Sequence, residues 1–161
     1  MTNPPAPPVS VTPGLRLLYS SRVGIATPHQ LGRSPYGERR IINISGGEFA
    51  GPRLSGRILP GGADWQVVRD DGVAEVDARY TLETGEGDLI YVSDWGLRYG
   101  PADVIQRLSR GEDVDPGSYY FRTTPRFETG SQRYDWLNRM VAVAVGERRR
   151  NEVVITVYEV T

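Results

Sequence analysis

Between Tyr119 and Arg139 the chain interleaves Tyr119, Tyr120, Phe121, Phe127, Tyr134 and Trp136 with Arg122, Arg126, Arg133 and Arg139, and adds the acids Glu128 and Asp135. Guanidinium groups fork onto carboxylates and carbonyls and stack on aromatic faces, so this mixture suits a cavity for a small planar or anionic ligand. It suits equally an ion network that ties a loop to a sheet, with the aromatics as a plug. On the first reading the chemistry is acid–base. A tyrosine packed against arginine favours its phenolate, a carboxyl among aromatic rings favours its neutral form, and together they can shuttle a proton near neutral pH. Glu128 is the first candidate proton carrier: Phe127 and Trp136 favour its neutral form, whereas Arg126, Arg133 and Arg139 favour the charged one. Asp77 is the second. Tyr80, Tyr120 and Tyr134 are candidate donors, Arg79, Arg122 and Arg139 anion anchors, Trp65 and Trp136 walls, and Asn138 a further ligand contact. Arg79 and Arg122 are expected to point into one cavity, with Trp65 and Tyr120 beside them.

Composition removes several other chemistries. All 19 basic residues are arginine, so Schiff-base lysines and the Gly-Lys phosphate loop are excluded. Cysteine is absent, which excludes thiol nucleophiles, disulfides and thiolate metal sites. The one histidine, His29, cannot build a multi-histidine metal site and reads as an ordinary polar residue. No serine sits in Gly-x-Ser-x-Gly, which disfavours a serine hydrolase; no Asp-x-Asp-x-Asp-Gly calcium loop occurs, and neither a metal nor a cofactor is expected. A net charge of -1 gives no general electrostatic reason to bind nucleic acid or an anionic membrane. Without an apolar run of bilayer length or the pattern of a secretory leader, a cytoplasmic location is the expectation.

The elements that must position these residues are short and extended. Pro4, Pro5, Pro7, Pro8 and Pro13 mark residues 1–13 as a flexible tail, and residues 14–161 as one domain. Alternating or apolar runs follow at 15–25, 40–44, 48–59, 65–69, 73–84, 89–98, 118–122, 140–145 and 153–160, separated by Gly, Pro and Asp; this spacing predicts an antiparallel sandwich or barrel. Asp71-Gly72 and Gly85-Glu86-Gly87-Asp88 predict tight hairpins. Pro101 to Gly111 predicts the one short helix, with proline in its first turn, arginines late and glycine after, set across one end of the sheet. Over 73–84 Glu75, Asp77, Arg79, Thr81 and Glu83 share one face, either solvent or the lumen of a barrel. Over 89–98 Ile90, Val92, Asp94, Gly96 and Arg98 share one face. The glycines at 46–47, 51, 56 and 61–62 read as bulges and corners rather than a phosphate cradle.

Ser45-Gly46-Gly47-Glu48-Phe49-Ala50-Gly51-Pro52, Leu59-Pro60-Gly61-Gly62-Ala63-Asp64-Trp65, Asp77-Ala78-Arg79-Tyr80, Tyr120-Phe121-Arg122 with Pro125, Phe127-Glu128-Thr129-Gly130, Arg133-Tyr134 and Trp136-Leu137-Asn138 together resemble the small bacterial and fungal proteins catalogued as domain of unknown function 3237. The resemblance runs from Leu15 to Val160. It implies a closed or nearly closed antiparallel β-barrel, lipocalin-like in outline and usually without bound metal, and it brings no known reaction. Three functions fit the residues: a cofactor-free lyase, isomerase or cyclase acting on a small oxygenated or aromatic metabolite, a carrier or sensor of such a ligand, and a structural subunit with a filled barrel. Runs apolar on both faces, such as Met140 to Val145, predict a homodimer.

Overall fold

The alternating runs form ten antiparallel strands in the computed structural model, which describes residues 3–161. They are β1 (Leu15–Ile25), β2 (His29–Ser34), β3 (Gly37–Ala50), β4 (Ser55–Ile58), β5 (Ala63–Val68), β6 (Ala74–Thr84), β7 (Leu89–Tyr99), β8 (Tyr120–Glu128), β9 (Ala142–Arg148) and β10 (Glu152–Val160). Helix α1 (Ala102–Ser109) lies between β7 and β8, and 3₁₀ turns occupy Pro116–Ser118 and Asp135–Arg139. Residues 3–13 are exposed and carry no regular structure; Met1 and Thr2 of the expected tail lie outside the described residues.

Pairing runs β1-β10-β9-β8-β7-β6-β4-β3, and β1 pairs with β3 to close the circle. β4 and β5 share one position between β3 and β6, so the result is a closed eight-stranded antiparallel barrel. β2 flanks the end of β3 that β1 does not reach. An eight-stranded barrel is just wide enough to be filled by side chains or to hold one small ligand.

The hairpins follow the turn chemistry. Gly72 has φ 84° and Gly87 φ 88°, the left-handed values that favour glycine, and these turns join β5 to β6 and β6 to β7. α1 begins after Pro101 and carries Asp103 in its first turn and Arg107 in its last, both complementary to the helix dipole. Val104 and Leu108 are its buried side.

Three expectations about the elements are corrected. Residues 29–34 form β2, a strand that its polar sequence does not announce. The run at 40–44 and the start of that at 48–59 belong to one long β3, and residues 55–58 of the latter form the separate β4. Gly46 and Gly47 have φ 128° and 152° and absorb a register shift instead of breaking the strand. β8 extends through Glu128, past the expected 118–122. Pro125 is accommodated because β9 pairs only with Arg122 and Thr123.

Leu18, Tyr19, Phe49, Ile58, Leu82, Ile90, Val92, Phe127, Leu137 and Val157 fill the barrel at the end covered by the Asp135–Arg139 turn. Each such side chain contributes roughly 1.5–3 kcal/mol on burial. Toward the other end the filling thins, and α1 lies over the opening.

Candidate active site at the barrel mouth

Residues two apart on a strand face the same side, so the buried member of each pair defines the interior. On β6 the interior set is Ala74, Val76, Ala78, Tyr80 and Leu82, and on β7 it includes Ile90, Val92 and Asp94. Asp94 lies directly across from Ala78, and Ala78 lies directly across from Asp64 on β5. Two carboxylates therefore face the interior on either side of one alanine.

Their surroundings differ. Asp64 has a partner at each oxygen: the Asp77 backbone N–H donates to Oδ1 at 2.9 Å and Gln66 Nε2 donates to Oδ2 at 3.0 Å. Burial raises its pKa, and these two hydrogen bonds oppose the rise. Asp94 is 3% exposed and holds one partner, the Thr123 hydroxyl, which donates to Oδ2 at 3.1 Å. Its Oδ1 is buried with no hydrogen-bond partner in the protein. Burial pushes the Asp94 carboxyl up to about 7; the Thr123 bond opposes this and the Asp64 charge adds to it. A carboxyl at that value can both give and take a proton at neutral pH. Burial raises the phenols of Tyr19 and Tyr80 as well, and the Asp94 charge adds to both. Tyr19 Oη is also buried without a partner.

Thr123 reaches Asp94 because β8 packs against Gly96. A Cβ at residue 96 would lie 2.3 Å from the Arg122 carbonyl oxygen and 2.4 Å from Thr123 Cγ2. The glycine thus sets the approach of the strand that carries the hydroxyl.

Asp94, Asp64, Gln66, Tyr80, Thr123 and Phe121 border a neck of about 60 Å³. Ile25, Ile42 and Arg148 border both this neck and a wider mouth cavity of about 810 Å³. The mouth is walled by the apolar Ile25, Ile42, Val68, Ile105 and Leu108 and by Arg40, Arg98 and Arg148. Its size is that of a ligand pocket, whereas the neck admits a few water molecules or one functional group. The arginines are half-buried and make no ion pair. Burial lowers the pKa of all three, that of Arg98 to about 10; neighbouring guanidinium charges lower Arg98 and Arg148 further, while the Asp64 and Glu38 charges oppose the shift of Arg40. The Nε atoms of Arg40 and Arg98 are buried and unpartnered. Of the five buried side-chain polar atoms without a partner among the described residues, four belong to Tyr19, Arg40, Asp94 and Arg98.

Of the residues singled out in the sequence, Tyr80 lines this interior. The others lie elsewhere, and the expected shared cavity for Arg79 and Arg122 is corrected. Arg79 and Asp77 are on the outer face of β6, paired at 3.4 Å, with Arg79 5.8 Å from the Trp65 ring. Arg122 and Tyr120 are on the outer face of β8, the guanidinium 5.3 Å from the Tyr120 ring, which stacks on Tyr99. Glu128 ends the same exposed face, so Phe127 points inward while Glu128 points out. Tyr134 is buried near the plugged end, and its hydroxyl donates to Glu86 at 3.0 Å. Trp136 lies under Arg53, 3.8 Å from guanidinium carbon to ring centroid. Asn138 bonds the Thr129 backbone through both amide atoms, and Arg139 pairs with Asp135 at 3.1 Å. Apart from Phe121 and Thr123, which border the neck, and the buried Tyr119 and Phe127, the segment 119–139 is an outer surface and a plug. The polar stripe of β6 is its solvent face. Sequence reasoning passed over Asp94 and Arg98, although both fall on the face of β7 that also carries Ile90 and Val92. An acid and a base on an apolar stripe were the available signal.

No helix among the described residues is long and apolar enough to cross a membrane. A UPF0311 protein of Rhodopseudomonas palustris is 43% identical over 154 residues, covering 93% of this chain and 99% of its own. A crystal structure of a conserved protein of unknown function from the same organism superposes with a TM-score of 0.89 at 40% identity, covering 95% of this chain and all of the other. A β-barrel-like protein of Acinetobacter baumannii superposes with a TM-score of 0.82 at 44% identity over the full length of both chains. A protein of Penicillium herquei named a hydroalkoxylation enzyme is 24% identical over 130 residues, 81% of this chain and 72% of that one. Residues 13–160 match the family described as protein of unknown function (DUF3237), and the chain belongs to that family.

Proposed function

We propose that this protein is a cofactor-free enzyme that moves a proton within a small organic ligand, as a lyase, isomerase or cyclase, with Asp94 as the proton carrier. The observation that carries the reading is the placement of Asp94. Its free Oδ1 is buried at the neck beneath a mouth large enough for a ligand. Tyr80 and Tyr19 keep their protons and polarise the site, and arginine at the mouth holds an anionic or carbonyl oxygen of the ligand. The name of the Penicillium herquei relative supports the class. Hydroalkoxylation adds an O–H bond across a carbon–carbon double bond: a C–H and a C–O bond form as the O–H and π bonds break. Where the hydroxyl and the alkene belong to one molecule, the product is an isomer of the substrate and no co-reactant is consumed. Protonated Asp94 gives its proton to the alkene carbon, the hydroxyl oxygen closes on the adjacent cation, and the hydroxyl proton returns to the Asp94 carboxylate. A cytoplasmic homodimer completes the reading. Its support is the exposed apolar stripe of Leu89, Tyr91, Trp95 and Tyr99 on the outer face of β7, a kind of surface that partner chains cover.

The test is incubation in D2O with phenols bearing an ortho alkenyl chain, with and without a carboxylate on the ring, followed by NMR. The expected product is a cyclic ether with one deuterium on the newly protonated carbon. The variant Asp94→Asn is expected to lose on the order of 10² to 10⁴ in rate. Wild-type turnover by that variant, or binding of the panel with no turnover of any member, overturns the proposal, the latter in favour of a carrier.

A further inference from the structure

Twelve of the 19 arginines sit in ion pairs. Of the remaining seven, Arg40, Arg98, Arg148 and Arg150 border the mouth cavity. Three of these come from strands remote in sequence and are brought together by barrel closure. Arg40 lies across β3–β5 from Gln66, Arg98 across β7–β8 from Phe121, and Arg148 across β9–β10 from Val153. Gln66, Phe121 and Val153 all line the neck, so the guanidinium groups stand around its entrance. Their local partners leave capacity unused. Arg40 donates to Gln66 Oε1, Arg148 donates to the Arg150 carbonyl at 3.2 Å, and Arg40 Nε and Arg98 Nε donate to nothing in the protein.

The negative groups nearby do not neutralise this cluster. Asp64 is the acid whose charge acts on Arg40 and Arg98, but both its oxygens already accept hydrogen bonds from Asp77 and Gln66. Glu38 borders the mouth and its charge acts on Arg40, but it is exposed and water screens it. In a chain of net charge -1, one end of the barrel therefore holds three mutually repelling, half-buried cations with donors to spare. Repulsion of this kind is relieved by an oxyanion that accepts from several guanidinium forks at once. The apolar wall of Ile25, Ile42, Val68, Ile105 and Leu108 suits a hydrocarbon body rather than a bare ion.

We infer that Arg40, Arg98 and Arg148 form an oxyanion-binding subsite, and that the ligand is an organic carboxylate or phosphate with an apolar body. The inference rests on the proposed function in that the mouth cavity is the place where the ligand enters. The anionic group is held at the entrance, and the reacting group extends through the neck to Asp94.

Isothermal titration calorimetry with benzoate, phenylphosphate and benzamide tests this on the wild-type protein, with sodium chloride held constant. At least one of the two anions is expected to bind tenfold or more tightly than the neutral amide, and the preferred one distinguishes carboxylate from phosphate. Arg98→Gln and Arg148→Gln are each expected to weaken anion binding tenfold or more while leaving benzamide unchanged. Thermal denaturation without ligand is expected to show no loss of stability in Arg148→Gln, because removing one of three repelling cations relieves the others. Equal affinity for benzoate and benzamide, absence of binding by any probe, or unchanged anion affinity in both variants overturns the subsite. Measuring turnover and anion affinity on the same wild-type protein separates the two ideas. Retained anion binding with no turnover of any substrate by the wild type defeats the proton-transfer reading alone, and turnover of neutral alkenyl phenols without anion affinity defeats the subsite alone.

Discussion

Replacing Asp94 by asparagine keeps an oxygen to accept the Thr123 hydroxyl and removes only the charge. In the unfolded chain this carboxyl has its ordinary value of 3.8, and burial raises it to about 7 in the fold. Between those values the folded state binds more protons than the unfolded state, so the wild-type protein loses stability as pH rises through that window. Well below pH 3.8 the group is neutral in both states and costs nothing. Above pH 7 the cost is complete, on the order of 4 kcal/mol at 1.36 kcal/mol per pH unit. Relaxation around the carboxyl makes this a ceiling. At roughly 2–4 °C per kcal/mol for a chain of this size, the ceiling corresponds to about 8–16 °C in melting temperature. Urea denaturation and thermal melts of both proteins from pH 4 to pH 8 give the comparison. The expected difference is near zero at pH 4 and grows in favour of Asp94→Asn up to pH 8. Asp64, also raised by burial, is present in both proteins and drops out of the difference except through its coupling to residue 94. A variant whose disadvantage against wild type grows as pH rises refutes the reasoning, because it means that the Asp94 carboxylate is charged and stabilised in the fold, and a difference that does not change with pH refutes it by showing that the Asp94 pKa is not shifted.

Two further substitutions probe the geometry. Gly96→Ala places a methyl group against the Arg122 carbonyl oxygen and Thr123, and is expected to destabilise the protein by about 1–3 kcal/mol and to lower the raised Asp94 value by opening the neck, read by denaturation and by NMR titration of the carboxyl. Glu128→Gln alters an exposed position on the outer face of β8, and is expected to change stability by no more than about 0.5 kcal/mol and to leave any turnover of the alkenyl phenols unchanged; a large rate loss would return the site to that face.

The antiparallel sandwich-or-barrel class, the hairpin turns at Asp71-Gly72 and Gly85–Asp88 and the helix after Pro101 were readable in the sequence, because each depends on local rules; the barrel itself was implied by the family resemblance. Period-two alternation fixes which residues share a face, glycine marks left-handed turns, and proline with a following amphipathic run starts a helix. The family was readable for the same reason, as a set of turns and corners in fixed order. The site was not. The richest run of chemistry, at 119–139, alternates its buried Phe121, Thr123, Pro125 and Phe127 with exposed Tyr120, Arg122, Arg126 and Glu128. Its local density therefore says nothing about a cavity. Asp94 stood on an apolar stripe, which flags a buried charge, but its free oxygen and its value near 7 depend on the strands that enclose it. Arg40, Arg98 and Arg148 are 58 and 50 residues apart in sequence and share no motif. Their convergence comes from the pairing of β1 with β3, which turns a long sheet into a ring, and closure of a ring is a long-range event that no window of sequence contains.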